Sequence, residues 1–400
     1  MSRARARLRK IVEAPRSSKS RLTASGPSSA PSADSLVDKA HILLAQSEIG
    51  LAIKFLTRAL SLEPKHLEAR ELLGIAELEG GDPNAGRLHL LQLFPPHTAD
   101  APANSSPYLY LAQSSTEPNE ALDYYSTATT MLEKSIVSRR KVKGKGRSMH
   151  QNGDDGKDAD ERKMTVTALV AMIEIWMSDL CHEEAAENKC DSLIERALSI
   201  LPNDPEVRLS LASIRMSQSR FEDAKTVIVA MYEEMEGKEP FDSALPALPE
   251  RVQLTRLLLE YSLHLPAIDV LSTIREEDSL LVEGAYLEGW ALYLQAEALD
   301  ANPPQPGRLE EDEEADLDLT APECYAQAMR SLQECARLFE EQDYPDEGIG
   351  AHVKQLLENL ERRGVKPSEG EDDTDEGVEQ WEDVNDQHGD EEKDRDVDMA

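Results

Sequence analysis

Aromatic side chains are scarce in this 400-residue chain: Phe, Trp and Tyr together make up 4% of it. A core built with so few of them must be filled by Leu, Ala, Ile and Val, as in helical repeat proteins. Cysteine is scarce too. Cys181, Cys190, Cys324 and Cys335 include no C-x-x-C pair, and no histidine pair completes a zinc set. The expectation is free, buried thiols in a reducing compartment. No apolar run reaches membrane-spanning length, which predicts a soluble intracellular protein with no membrane partner. Positive charge is the third deficit: 43 Lys and Arg stand against 78 Asp and Glu, a formal net charge of −35. A chain that binds DNA or RNA directly normally carries the opposite sign, so a basic partner, or solubility alone, is the better reading. Enzyme signatures are missing as well. There is no H-E-x-x-H, G-x-S-x-G or G-x-G-x-x-G, and Gly144-Lys145-Gly146 lacks the spacing of a phosphate-binding loop. Cys181 and His182 are adjacent, and adjacent helical residues point about 100° apart, which makes a poor nucleophile–base pair. A thiol packed in the core near a helix end is the expectation there. No catalytic residue, cofactor or metal is expected.

What the chain does contain is a spacing. Between Ala171 and Glu236, Ala197 and Pro202 close one window while Asp204 and Pro205 open the next. Leu211, Ala212, Ala224, Ile228 and Met231 fall where a repeat of about 34 residues puts its tightly packed positions. Small residues there let two antiparallel helices approach, and the larger apolar ones fill the space between. This is the tetratricopeptide (TPR) pattern. It extends outward through Ala40, Ala52, Ala59 and Pro64, then Leu73-Gly74, the turn Gly80-Gly81-Asp82-Pro83, and Gly86. Tyr108 to Ala112 with Ala121, Tyr125 and Ala128 make a third unit with a shortened inner turn. Met164–Cys181 pairs with Glu184–Leu201, and Gly237–Glu250 is a Pro-punctuated connection. Arg251–Leu263 pairs with Pro266–Arg275, then come Glu283–Leu299, carrying Gly289, and Ala321–Gln342. Asp346–Arg363 closes the series, apolar along one side and charged along the other, as a terminal cap requires.

The predicted architecture is therefore all-α: a TPR-like superhelical solenoid of about seven helix hairpins over 34–363, with a C-terminal capping helix and disordered tails. Loop insertions are expected at about 134–163 and 300–319. The first carries the basic run Arg139–Arg147 followed by Asp154, Asp155, Asp158, Asp160 and Glu161. Glycine and charge at that density argue for a loop, and the basic run reads as a nuclear signal or as plain exposed insertion. Residues 1–33 carry Arg3, Arg5, Arg7, Arg9 and Lys10 among their bases, with Glu13 as the acid before Ala33's neighbour Asp34. A transit peptide, a nuclear import signal and a solvated tail all remain open for that segment. Residues 364–400 hold 16 acids against 3 bases, an acidic tail.

In such a stack the first helix of each hairpin lines a concave groove. The repeat register places Glu68, Glu71, Glu79, Asp179, Glu183, Glu206, Glu260 and Glu283 near it. Tyr286, Trp290 and Tyr293, spaced by four and three, share one helical face. Carboxylates attract Lys and Arg, and aromatic faces hold cations at ~0.5–2 kcal/mol each. The competing reading makes the three aromatics core and the acids merely solvated.

Tyr108-Leu-Tyr-Leu-Ala-Gln113 with Glu120-Ala-Leu-Asp-Tyr-Tyr125 resembles the third repeat of fungal TPR proteins dedicated to one ribosomal protein. The run Ala168–Cys181, the patch Tyr286-Leu-Glu-Gly-Trp290 and the acidic tail are similar to that family too. It is the family of assembly chaperones of the large-subunit ribosomal protein called L-four. The resemblance implies a non-enzymatic chaperone, cytoplasmic and nuclear, whose partner is that basic ribosomal protein, with a nuclear import receptor as a further partner. The client's long basic internal loop would be held in the groove until the pre-ribosome takes it. A general TPR adaptor and an acidic histone chaperone are the alternatives.

Overall fold

A computed structural model describes residues 31–143, 154–302 and 320–367. Both expected tails, up to residue 30 and beyond 367, and residues 303–319 of the second insertion lie outside these. The described residues form fifteen helices and no strand, the number that seven hairpins and a cap require. Two compact units divide the chain between Leu287 and Glu288.

In the first unit, helices pair in order: α1 (Ala33–Ala45) with α2 (Ile49–Leu62), α3 (Leu67–Gly80) with α4 (Pro83–Leu91), and α5 (Ser106–Ser114) with α6 (Pro118–Lys143). Then come α7 (Asp154–Ser178) with α8 (Ala186–Ile200), α9 (Pro205–Ser217) with α10 (Phe221–Glu233), and α11 (Leu248–Glu260) with α12 (His264–Glu277). First helices also touch one another, α1 with α3, α3 with α5, α7 with α9 and α9 with α11. That row is what side-by-side stacking of hairpins produces. The division at Leu287 falls inside α13 (Val282–Ala301). In the second unit the rest of α13 accompanies α14 (Ala321–Glu341) and α15 (Glu347–Arg362).

Local sequence explains the helix starts. Asp204 caps α9 by accepting from the backbone N–H groups of Glu206 at 3.1 Å and Val207 at 3.4 Å, with Pro205 in the first turn. Asp82 and Pro83 do the same for α4, where Asn84 N–H donates at 2.9 Å. Three inner turns share one closure. Ser47, Ser219 and Ser262 adopt φ of 60°, 60° and 56°, and the next residue's N–H reaches back to Leu43, Arg215 and Leu258 carbonyls at 2.8–2.9 Å. This is the left-handed helix stop that usually employs glycine.

The core is aliphatic. Ala52, Leu56 and Ala59 on α2, and Ala224 and Ile228 on α10, are wholly buried at the positions the repeat spacing marks. A methyl group built on Gly86 would lie 2.7 Å from the Gly74 carbonyl oxygen, and one on Gly289 would meet Leu332 at 2.6 Å. Cys190, Cys324 and Cys335 are buried and free, and burial pushes the Cys190 thiol up to about 11. Cys181 is exposed, contrary to expectation, because α7 stops at Ser178 and leaves it in the following turn.

The expected loop at 134–163 is mostly helix. α6 continues to Lys143 and α7 begins at Asp154, so only residues 144–153 of that stretch fall outside the described chain. Ion pairs account for it: Arg139 with Glu161 at 2.6 Å across the two helices, and Arg162 with Asp158 at 2.8 Å along one. α7 has 25 residues and its partner α8 has 15. About ten residues of α7 thus outrun the hairpin, an arm roughly 15 Å long at the α-helical rise.

Candidate functional site

The row of first helices in the first unit carries most of the predicted carboxylates. Glu68, on the first turn of α3, is exposed and pairs with His41 of α1 at 3.1 Å. Glu71, one turn on and half-buried, accepts from the Asn104 amide at 3.0 and 3.1 Å. Glu79, near the end of α3, accepts from the Tyr110 hydroxyl at 2.9 Å. Amide and phenol are uncharged donors, and these bonds orient the two carboxylates.

Elsewhere the placements differ. Asp179 and Glu183 are exposed, in the turn between α7 and α8, and Glu260 is exposed at the last residue of α11. Glu283 is half-buried and paired with Arg256 at 3.2 Å. Glu206 is 2% exposed. Its carboxylate takes the Thr167 hydroxyl at 2.9 Å and the Lys163 ammonium at 3.2 Å, while Lys163 also binds Asp204 at 2.6 Å. Burial works against that ammonium, yet the two carboxylates outweigh it and hold Lys163 above the ordinary lysine value. Glu206 thus ties α7 to the start of α9 and is not open to a ligand.

The aromatic trio is likewise engaged within the protein. Tyr286 is buried, in the first unit. Within the second unit, Trp290 packs edge-on against His352, with ring centroids 5.4 Å apart, and the buried Tyr293 packs against Tyr325 at 5.7 Å. Arg363 lies 4.7 Å from the Tyr325 ring centroid and 5.9 Å from that of Tyr293, and it bonds Glu297 at 3.1 Å. The cation that Tyr293 was expected to take from a ligand is supplied by the chain's own Arg363. Burial, reinforced by a hydrogen bond to Asp300, pushes the Tyr325 phenol to about 12.

Register found the acids but missed their partners. The separations carry a signal: Glu71 and Asn104 are 33 residues apart, and Glu79 and Tyr110 are 31. One repeat length separates residues that neighbour each other on successive first helices. Among the described residues no three His, Cys, Asp or Glu side chains gather to hold a metal, and no described helix is long and apolar enough to cross a membrane.

Comparison with known proteins bears on what this surface serves. No protein-family model matches the chain. A protein of Schizosaccharomyces pombe described as "Probable assembly chaperone of rpl4" is 30% identical over 259 residues, 64% of this chain and 69% of that one. An Emericella nidulans protein of the same description is 36% identical over 227 residues, 54% of this chain and 55% of its own length. Among solved structures, residues 1–338 of an assembly chaperone of RpL4 superpose with a TM-score of 0.60 at 29% identity, covering 68% of this chain and 99% of that one.

Proposed function

This chain belongs to the family of assembly chaperones of rpl4, and from that membership we propose that its own client is a newly made ribosomal protein of the rpl4 type. The observation that carries the reading is the kinship with proteins so described, joined to a net charge of −35. The client binds through basic segments, its long internal loop above all. Carboxylates along the first-helix row, led by Glu68, Glu71 and Glu79, stand in for the rRNA phosphates that the loop meets later. No bond is made or broken in this task; the protein lowers the free concentration of an aggregation-prone cation until RNA competes it away. The acidic segment beyond Gly364 enlarges the anionic surface.

The chaperone travels with its client to the nucleus, and the basic runs at Arg3–Lys10 and Arg139–Arg147 are the stretches an import receptor would read. An adaptor for C-terminal carboxylates needs unpaired Lys and Arg on the inner helices, whereas Lys163, Arg251 and Arg256 on those helices are each tied to a carboxylate of the chain.

The test is a titration of the full chain with purified rpl4. Raising salt from ~0.05 to ~0.5 M is expected to weaken binding at least about tenfold. Glu68→Gln, Glu71→Gln and Glu260→Gln combined are expected to weaken it by a similar factor at low salt. Salt-independent binding, or copurification of histones or of an acidic protein in place of rpl4, overturns the reading.

A further inference from the structure

Phe241 presents an unusual combination. It is 74% exposed, the highest value among the exposed large apolar side chains of the described residues, and its φ is +65°. A bulky L-residue is disfavoured in that left-handed region, where glycine or asparagine would sit without penalty. The chain thus meets two unfavourable terms at one position: a strained backbone and a phenyl ring left in water.

The conformation is imposed from below. Phe241 lies in the 234–247 connection between α10 and α11, and its N–H donates to Glu277 Oε1 of α12 at 2.7 Å. The other oxygen of Glu277 takes the Arg251 guanidinium, which is 2% exposed and also donates to the Pro246 carbonyl at 2.9 Å and the Thr273 hydroxyl at 2.7 Å. Burial opposes ionisation of Glu277, but the bonds from Arg251 and the Phe241 N–H prevail and hold its carboxyl below the ordinary range. The remainder of the connection is braced too: Ala244 N–H donates to the Asp242 carboxylate at 2.8 Å and Leu245 N–H to the Asp242 carbonyl at 3.0 Å. A buried arginine therefore holds, through one glutamate, the backbone that carries an exposed ring.

Its surroundings define what it suits. Leu280, 61% exposed, follows Glu277 by three positions. In sequence, Glu239 and Asp242 lie within two positions of Phe241, Glu236 lies five before it with Lys238 between, and Glu276 precedes Glu277, all four acids exposed. An exposed apolar anchor in a connection whose nearby charges are mostly carboxylates complements a segment in which an aliphatic or aromatic residue is set among lysines and arginines.

We propose that Phe241 is a preorganised docking anchor for a second basic segment of the rpl4-type client, apart from the first-helix row. The proposal rests on the client assignment above. Preorganisation accounts for the strain: the connection is already held as the partner needs it, so binding forfeits little further freedom.

The deciding variant is Phe241→Gly in the full chain, because glycine relieves the backbone while removing the ring. Stability in urea is expected to hold or rise, and affinity for purified rpl4 to fall at least about tenfold, or 1.4 kcal/mol; Phe241→Tyr should bind within about threefold of the parent by retaining an aromatic face. Affinity within about twofold for the glycine variant overturns the anchor and leaves the client assignment standing. Loss of stability together with affinity overturns it in favour of a structural ring. If the parent chain itself does not bind rpl4, both readings fall. A benzophenone analogue of phenylalanine placed at 241 should cross-link to rpl4 upon illumination of the complex; cross-links only within the chain, or to a second copy of it, count against the proposal.

Discussion

Glu206 sits where the repeat register opens a first helix towards the groove, yet its carboxylate is consumed inside the protein by Lys163 and Thr167. Glu206→Ala removes the partner of a mostly buried ammonium. Losing one member of a fully buried pair costs about 3–5 kcal/mol; here Lys163 is one-third exposed and keeps Asp204, so about 2 kcal/mol is expected in urea unfolding. Client affinity at a concentration where the variant is folded should be unchanged. The sequence made the helix and the position of Glu206 readable because both follow from spacing within one repeat. Lys163 is 43 residues upstream, in a stretch whose charge density reads as loop when no partner is in view. Tyr293 failed to be legible for the same reason, since Arg363 arrives from a helix seventy positions along the chain.

At the scale of elements, the hairpin is the unit that spacing describes best. Gly86 marks the close approach of α4 to α3, and the groups a new methyl would strike are main-chain atoms, the Gly74 oxygen at 2.7 Å and the Leu78 nitrogen at 2.8 Å. Main chain cannot rotate aside, so Gly86→Ala is expected to destabilise by about 2–3 kcal/mol. Gly50, early in α2, has nothing within 4 Å of the same added atom. There alanine only lowers the entropy of the unfolded chain, and Gly50→Ala should stabilise by about 0.5–1 kcal/mol. Opposite shifts in the urea midpoint, with unchanged slopes, check both together. The helices that spacing did not show are the ends of α6 and α7. Composition counts charges one by one; it does not see that Arg139 faces Glu161 across an antiparallel pair.

For the whole molecule, a formal charge of −35 acts on folding and on binding with opposite signs. Self-repulsion among carboxylates destabilises the compact state and is relieved by screening, so adding salt up to ~0.2 M should raise the thermal midpoint. The same salt weakens the complex with a basic client. A midpoint that falls with salt would mean that ion pairs such as Arg87–Glu120 dominate over the net field. Fold class was legible at this scale because helix count, hairpin order and cap all follow from one repeat length. The candidate site was legible only in part: spacing assigns residues to the inner helices, but neither burial nor a docked cation leaves any trace in it. The arm formed where α6 and α7 outrun α8 has an electrical consequence. Roughly 15 Å of paired helix exceeds the ~8 Å over which a charge is felt in physiological salt. Charges along it are therefore answered within the arm itself, Arg139 by Glu161 and Arg162 by Asp158, without drawing on the body for partners.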